Sequence, residues 1–146
     1  PNKVTYQGET YIINQPAPSD TYSTENSLIK AGAGSANGND FIYVPGENGE
    51  VRCVRIKTAE AAIYGNVAIG DDASKVQEEY ENVMVRDGVG VLYVFFDGTE
   101  NIDYMSDEYA DHDMNVDPFD VIAYAISGGK VTAIMVTDEF FIMNSK

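Results

Sequence analysis

Residues 119–137, FDVIAYAISGGKVTAIMVT, carry β-branched and aromatic residues from Phe119 to Ile126, break at Ser127-Gly128-Gly129 and resume from Lys130 to Thr137. Two such runs around a pair of glycines form an antiparallel hairpin, because glycine supplies the positive φ that a tight turn demands. An earlier stretch has the same layout. DFIYV at Asp40–Val44 and VRCVRIK at Val51–Lys57 flank Pro45-Gly46-Glu47-Asn48-Gly49. Laid over the later hairpin, it shares V-x-x-[V/I]-x-[I/V]-x-[T/D], which matches Val51, Val54 and Ile56 to Val131, Ile134 and Val136. Strict alternation places Val51, Cys53 and Arg55 on one face and Arg52, Val54 and Ile56 on the other. The mixed character of both sets suits a strand partly covered on both sides.

Working outward, Val4–Tyr6 and Thr10–Ile13 read as two β segments around Gln7-Gly8-Glu9. Pro16 and Pro18 stop further pairing, since proline has no N–H to donate. Ser19-Asp20 offers a cap for a helix over Thr21–Ala31, with Gly32 as its stop and a flexible loop through Asn39. In the second half Asp71 or Asp72 is expected to cap a helix over Ala73–Asn82, where Val76, Glu79, Tyr80 and Val83 share a stripe. VLYVFF at Val91–Phe96 is the strongest strand, an acidic insertion fills Asp97–Pro118, and Phe140–Met143 reads as a last strand closing the core. The expected fold is α+β: one domain with an antiparallel sheet of about seven or eight strands and two helices packed on one face. It is built from two diverged copies of one unit, roughly residues 3–58 and 63–143.

Composition narrows the function classes. With 24 acidic and 9 basic residues the net charge is −15. That field repels phosphate backbones and anionic headgroups, which argues against a nucleic-acid or membrane-surface partner. The single cysteine, Cys53, excludes a disulfide framework and a thiolate zinc site, and its place among apolar neighbours reads as core packing. No apolar run reaches the length of a membrane helix, so direct insertion is not expected. The opening Pro1-Asn2-Lys3 lacks Met, which leaves room for a targeting segment removed ahead of it.

The passage GNVAIGDDASKVQEEYEN at Gly65–Asn82 resembles the G-x-x-I-G-x-[ST]-x-x-x-V start of the β-lactamase-inhibitor-like class of bacterial cell-envelope proteins, which includes small outer-membrane assembly lipoproteins. The closing hairpin, with its Gly-Lys-Val turn, looks like the same unit's hairpin. The resemblance implies a non-catalytic, extracytoplasmic domain, secreted or anchored at the cell surface, that needs no cofactor and binds a protein or peptide partner. The insertion Asp97–Pro118 departs from that pattern, and no binding residue transfers individually.

Candidate chemistry is sparse. His112, the only histidine, stands between Asp111 and Asp113 in what reads as a solvated loop, without a Ser or Cys partner to activate. Asp111, Asp113, Asn115 and Asp117 alternate as the oxygen ligands of a calcium loop do, making loop 107–120 the place for a calcium or small-ligand site. The remaining calcium-loop positions are wrong, with Val116 at the sixth and Ile122 at the twelfth. A carboxylate-dependent hydrolase is the second alternative and requires two acids converging in a pocket. Gly32–Gly38 follows a helix and lacks a Lys-Ser/Thr ending, so it is a linker and not a phosphate loop. Among the ten tyrosines, Tyr11, Tyr43, Tyr64, Tyr80, Tyr93 and Tyr124 lie in or beside expected elements, where most are expected to pack with the hydroxyl at the core's edge.

Overall fold

The computed structural model describes residues 1–25, 39–86 and 90–144. In chain order it forms β1 (Lys3–Tyr6), β2 (Glu9–Ile12), β3 (Phe41–Pro45), β4 (Val51–Ile56), α1 (Ser74–Glu79), β5 (Met84–Val85), β6 (Val91–Asp97), β7 (Glu100–Ile102), β8 (Asp120–Ser127), β9 (Lys130–Asp138) and α2 (Glu139–Met143). β1 and β2 make a two-stranded sheet of their own. The other seven strands form one antiparallel sheet in the order β3-β4-β9-β8-β6-β5, with β7 also on β6. The expected α+β class with an antiparallel sheet is what forms.

Alternation then sorts the core into two layers. One face of the sheet carries Phe41, Val54, Ile56, Val94, Phe96, Ile122, Tyr124, Ile134 and Val136, covered by the β1–β2 hairpin (Val4, Tyr6, Tyr11) and by Val67, Val76 and Tyr80. The opposite face carries Ile42, Cys53, Tyr93, Phe95, Val121, Ala123 and Met135, covered by Phe119, Phe141 and Ile142. Both faces of the central strands are therefore buried. Of the described helices, α1 lies with the first layer and α2 with the second.

The strict alternation expected for β4 breaks at one point. Val44 faces Cys53 but Pro45 faces Val51, so Arg52 is a bulge and Val51 joins Val54 and Ile56 in the same layer. β9 has the same break: Ala125 faces Ala133 but Ile126 faces Val131, leaving Thr132 as the extra residue. Each bulged strand also receives a passing segment in the same way. Val51 accepts from Asn14 N–H at 2.7 Å and donates to Gln15 at 2.9 Å, while Ala17 N–H reaches Gly49 at 3.1 Å. Val131 accepts from Gly70 N–H at 2.8 Å and donates to Asp71 at 2.9 Å, while Ala73 N–H reaches Gly129 at 2.9 Å. Asn14 and Gly70 both take positive φ, 70° and 93°, which turns each segment onto its strand.

The termini of the helices depart from expectation. Neither Asp71 nor Asp72 caps α1, whose N-cap is Ala73 with no side-chain bond. Asp71 instead accepts the Ala68 N–H at 2.8 Å, and Asp72 pairs with Lys130. Phe140–Met143 is not a strand. Asp138 caps it as a helix by accepting the Phe141 N–H at 2.9 Å, with Glu139 in the first turn, and Phe141 and Ile142 close the second layer. Over the expected first helix, residues 21–25 make a turn and a bridge from Ser23 to Tyr43. The rest of that helix and the Gly32–Gly38 loop lie outside the described residues.

Candidate functional site

The outer edge of β6 is tiled end to end by two short strands, β5 against Leu92 and Tyr93, and β7 against Phe95 to Asp97. The joint between them is held by Asn101. Its side-chain amide accepts the Asn82 N–H at 2.9 Å and donates to the Asn82 carbonyl at 3.0 Å and the Phe95 carbonyl at 3.1 Å. A side-chain amide here does what a backbone peptide does in a sheet, because it presents the same donor and acceptor.

Beyond the joint the chain turns back at Asp103, whose carboxylate accepts the Met105 N–H at 3.2 Å and whose carbonyl accepts the Ser106 N–H at 3.0 Å. That turn lays the Tyr104 ring flat on Phe95, with centroids 4.0 Å apart and planes 9° from parallel. Between the turn and β5 lies a cavity of about 370 Å³ with Phe95, Ile102, Tyr104, Met84 and Met105 around it and the exposed carboxylates of Glu81 and Asp103 beside them. Among the described residues only five large apolar side chains are well exposed, and two of them, Val85 (55 %) and Met105 (74 %), line this cavity.

The back of the Tyr104 ring is fixed by a buried network. Its hydroxyl donates to Glu139 Oε2 at 2.6 Å, and the Phe119 N–H donates to Glu139 Oε1 at 3.2 Å. His112 Nε2 lies 3.0 Å from that same oxygen, off the line of a hydrogen bond, while its ring stacks on Phe119 with centroids 3.7 Å apart. The solvated His112 expected from its acidic neighbours is corrected: its side chain is only 16 % exposed, because the ring is an aromatic surface for Phe119. Burial and the Glu139 carboxylate push the Tyr104 phenol far above its ordinary range, so it remains a donor. No sequence pattern announced this group, since its members come from positions 104, 112, 119 and 139.

The expected calcium ligands are not gathered. Asp111, Asp113, Asn115 and Asp117 are all exposed. Asp113 uses one carboxylate oxygen on the Asn115 N–H at 2.9 Å, and its carbonyl accepts from Asp117 at 3.1 Å, a helical turn that sends alternate side chains to different sides. No three carboxylate, imidazole or thiol groups meet as a metal site among the described residues. Cys53 is fully buried and its thiol is pushed up to about 12 by burial. Tyr11, Tyr43, Tyr80, Tyr93 and Tyr124 are core residues as expected, although the Tyr80 and Tyr124 hydroxyls are buried with their rings and not at the core's edge, and Tyr64 is 39 % exposed. Both faces of the central strands are covered, so the buried rings pack inside the two layers. No family model, curated protein or solved structure matches the chain.

Proposed function

We propose that this chain is a non-catalytic, extracytoplasmic binding domain that meets a protein or peptide partner at the β5–β7 edge of its sheet. The observation that carries the reading is the coincidence of Val85 and Met105, exposed and apolar, with the 370 Å³ cavity between them. Exposed apolar side chains grouped at a concave site mark an interaction surface, whereas scattered ones do not. The extracytoplasmic assignment and the absence of a cofactor or catalytic role follow from the sequence resemblance to cell-envelope proteins.

Two diverged copies of one unit, roughly 3–58 and 63–143, account for the scaffold. Support comes from the shared bulges at Arg52 and Thr132, and from the shared hydrogen-bond pattern at Val51 and Val131. Val54 faces Val136 and Ile56 faces Ile134, so the matched residues exchange places about a two-fold axis through Arg55 and Met135. The proposed docking edge then belongs to the segment by which the second copy differs from the first.

A peptide-display selection against the immobilised chain tests the binding reading. Enriched peptides are expected to lose binding to the Val85→Ser, Met105→Ser variant while circular dichroism shows it folded. Peptides that bind the variant as well as the parent chain, or no enrichment, would remove the edge as the docking surface.

A further inference from the structure

We infer that the cavity between β5 and the Asp103 turn is a socket for one arginine or lysine side chain of the partner, a specificity that rests on the docking surface proposed above. The socket has an apolar interior and an acidic rim. Phe95, Ile102, Tyr104, Met84 and Met105 line it, together with the exposed acidic residues Glu81 and Asp103. A long side chain with an apolar stem and a cationic head satisfies both parts, whereas an aliphatic side chain leaves the carboxylates unused and an acidic one meets repulsion.

Two further observations favour a cation. The chain carries −15 overall, which draws basic segments toward it and repels acidic ones. Arg86, the basic residue next to Val85, is turned aside, with its guanidinium 5.9 Å over the Tyr93 ring, so its charge is already engaged beside the socket and not in it. The same contact shows that the aromatic surface on this side of β6 accepts a guanidinium. Phe95 and Tyr104 are stacked on one another and the Tyr104 hydroxyl is held by Glu139, which fixes the aromatic part of the lining. Methionine sides suit such a site because the unbranched thioether adapts to lysine or arginine stems.

The test uses the intact chain labelled with ¹³C at the methionine methyls, titrated with acetyl-arginine methylamide and with its neutral isostere acetyl-citrulline methylamide. Arginine is expected to shift the Met84 and Met105 signals saturably and to bind about fivefold tighter than citrulline, the upper range for an ion pair in contact with water. High salt is expected to erase that preference, as is the Glu81→Gln, Asp103→Asn pair, which keeps the oxygen that accepts the Met105 N–H. Equal binding of the two probes, an arginine preference that survives in that pair, or no shift at Met84 and Met105 would overturn the socket. Display-selected peptides that depend on Val85 and Met105 would still stand in any of those cases, so the failure of the socket is separable from the failure of the docking surface.

Discussion

The Tyr104 hydroxyl donates to Glu139 at 2.6 Å across 35 positions of sequence, tying the acidic insertion to the first turn of the last helix. Glu139 is 2 % exposed, so each donor that reaches its carboxylate replaces water that burial has removed. Tyr104→Phe keeps the stack on Phe95 and removes only that donor. It is expected to cost about 1.5–3 kcal/mol, the usual value for a hydrogen bond to a charged group. Urea unfolding measures this, and an unchanged midpoint would show that the bond is not made.

Asn101→Ala removes the two bonds that hold Asn82 and the one that ties the Asn101 side chain to the Phe95 carbonyl. The expected result is local: amides of β5 exchange faster with solvent, while those of β8 and β9, paired along their whole length, keep their protection. Hydrogen exchange read by mass spectrometry separates this from a uniform loss. Equal acceleration everywhere would mean that the joint and the sheet open together.

Asp120 supplies a pH dependence. Burial raises its pKa, and repulsion from Asp138 and Asp117 adds to this, against the Pro1 amine, which lowers it. A raised carboxylate pKa means that the folded state holds the proton more tightly than the unfolded state. Its favourable contribution is thus complete below the ordinary value of about 4 and is lost as pH rises through the folded value. Asp120→Asn keeps the neutral form at every pH. It is expected to raise Tm at pH 7 relative to the parent chain and to leave it unchanged at pH 3; a variant less stable at pH 7 contradicts the assignment.

Cys53 is expected to be inert while the chain is folded, because its thiol is fully buried and pushed up to about 12. At pH 8 a thiol reagent should react only as fast as the protein opens, and addition of urea should accelerate labelling in step with unfolding. Rapid labelling in buffer would place the thiol at the surface.

Much of the scaffold was legible because it rests on local signals. Residues 119–137 announced β8 and β9, and Val91–Phe96 announced β6, since β-branched and aromatic residues around glycine leave few alternatives. The spacing V-x-x-V-x-I even held the bulge at Arg52: a gap of three followed by a gap of two cannot keep one face without an extra residue. The short helix after β9 was missed although Asp138-Glu139 is a capping signal, because Phe140–Met143 taken alone has strand composition.

By itself, then, the sequence determined β1–β4, β6, β8 and β9, their hairpins and the acidic charge, all of which follow from side-chain chemistry and spacing within a few residues. Tertiary structure alone decided the register that brings β4 against β9, the burial of both sheet faces, and the meeting of Tyr104, His112, Phe119 and Glu139. It also decided that the Asp111–Asp117 alternation does not converge and that two of the exposed apolar residues, Val85 and Met105, flank one cavity at the sheet's edge. The physical reason is the same in each case. Periodicity fixes which way a side chain points from its own strand, whereas a site depends on which distant segment is packed opposite, and that is set by the burial of the whole core.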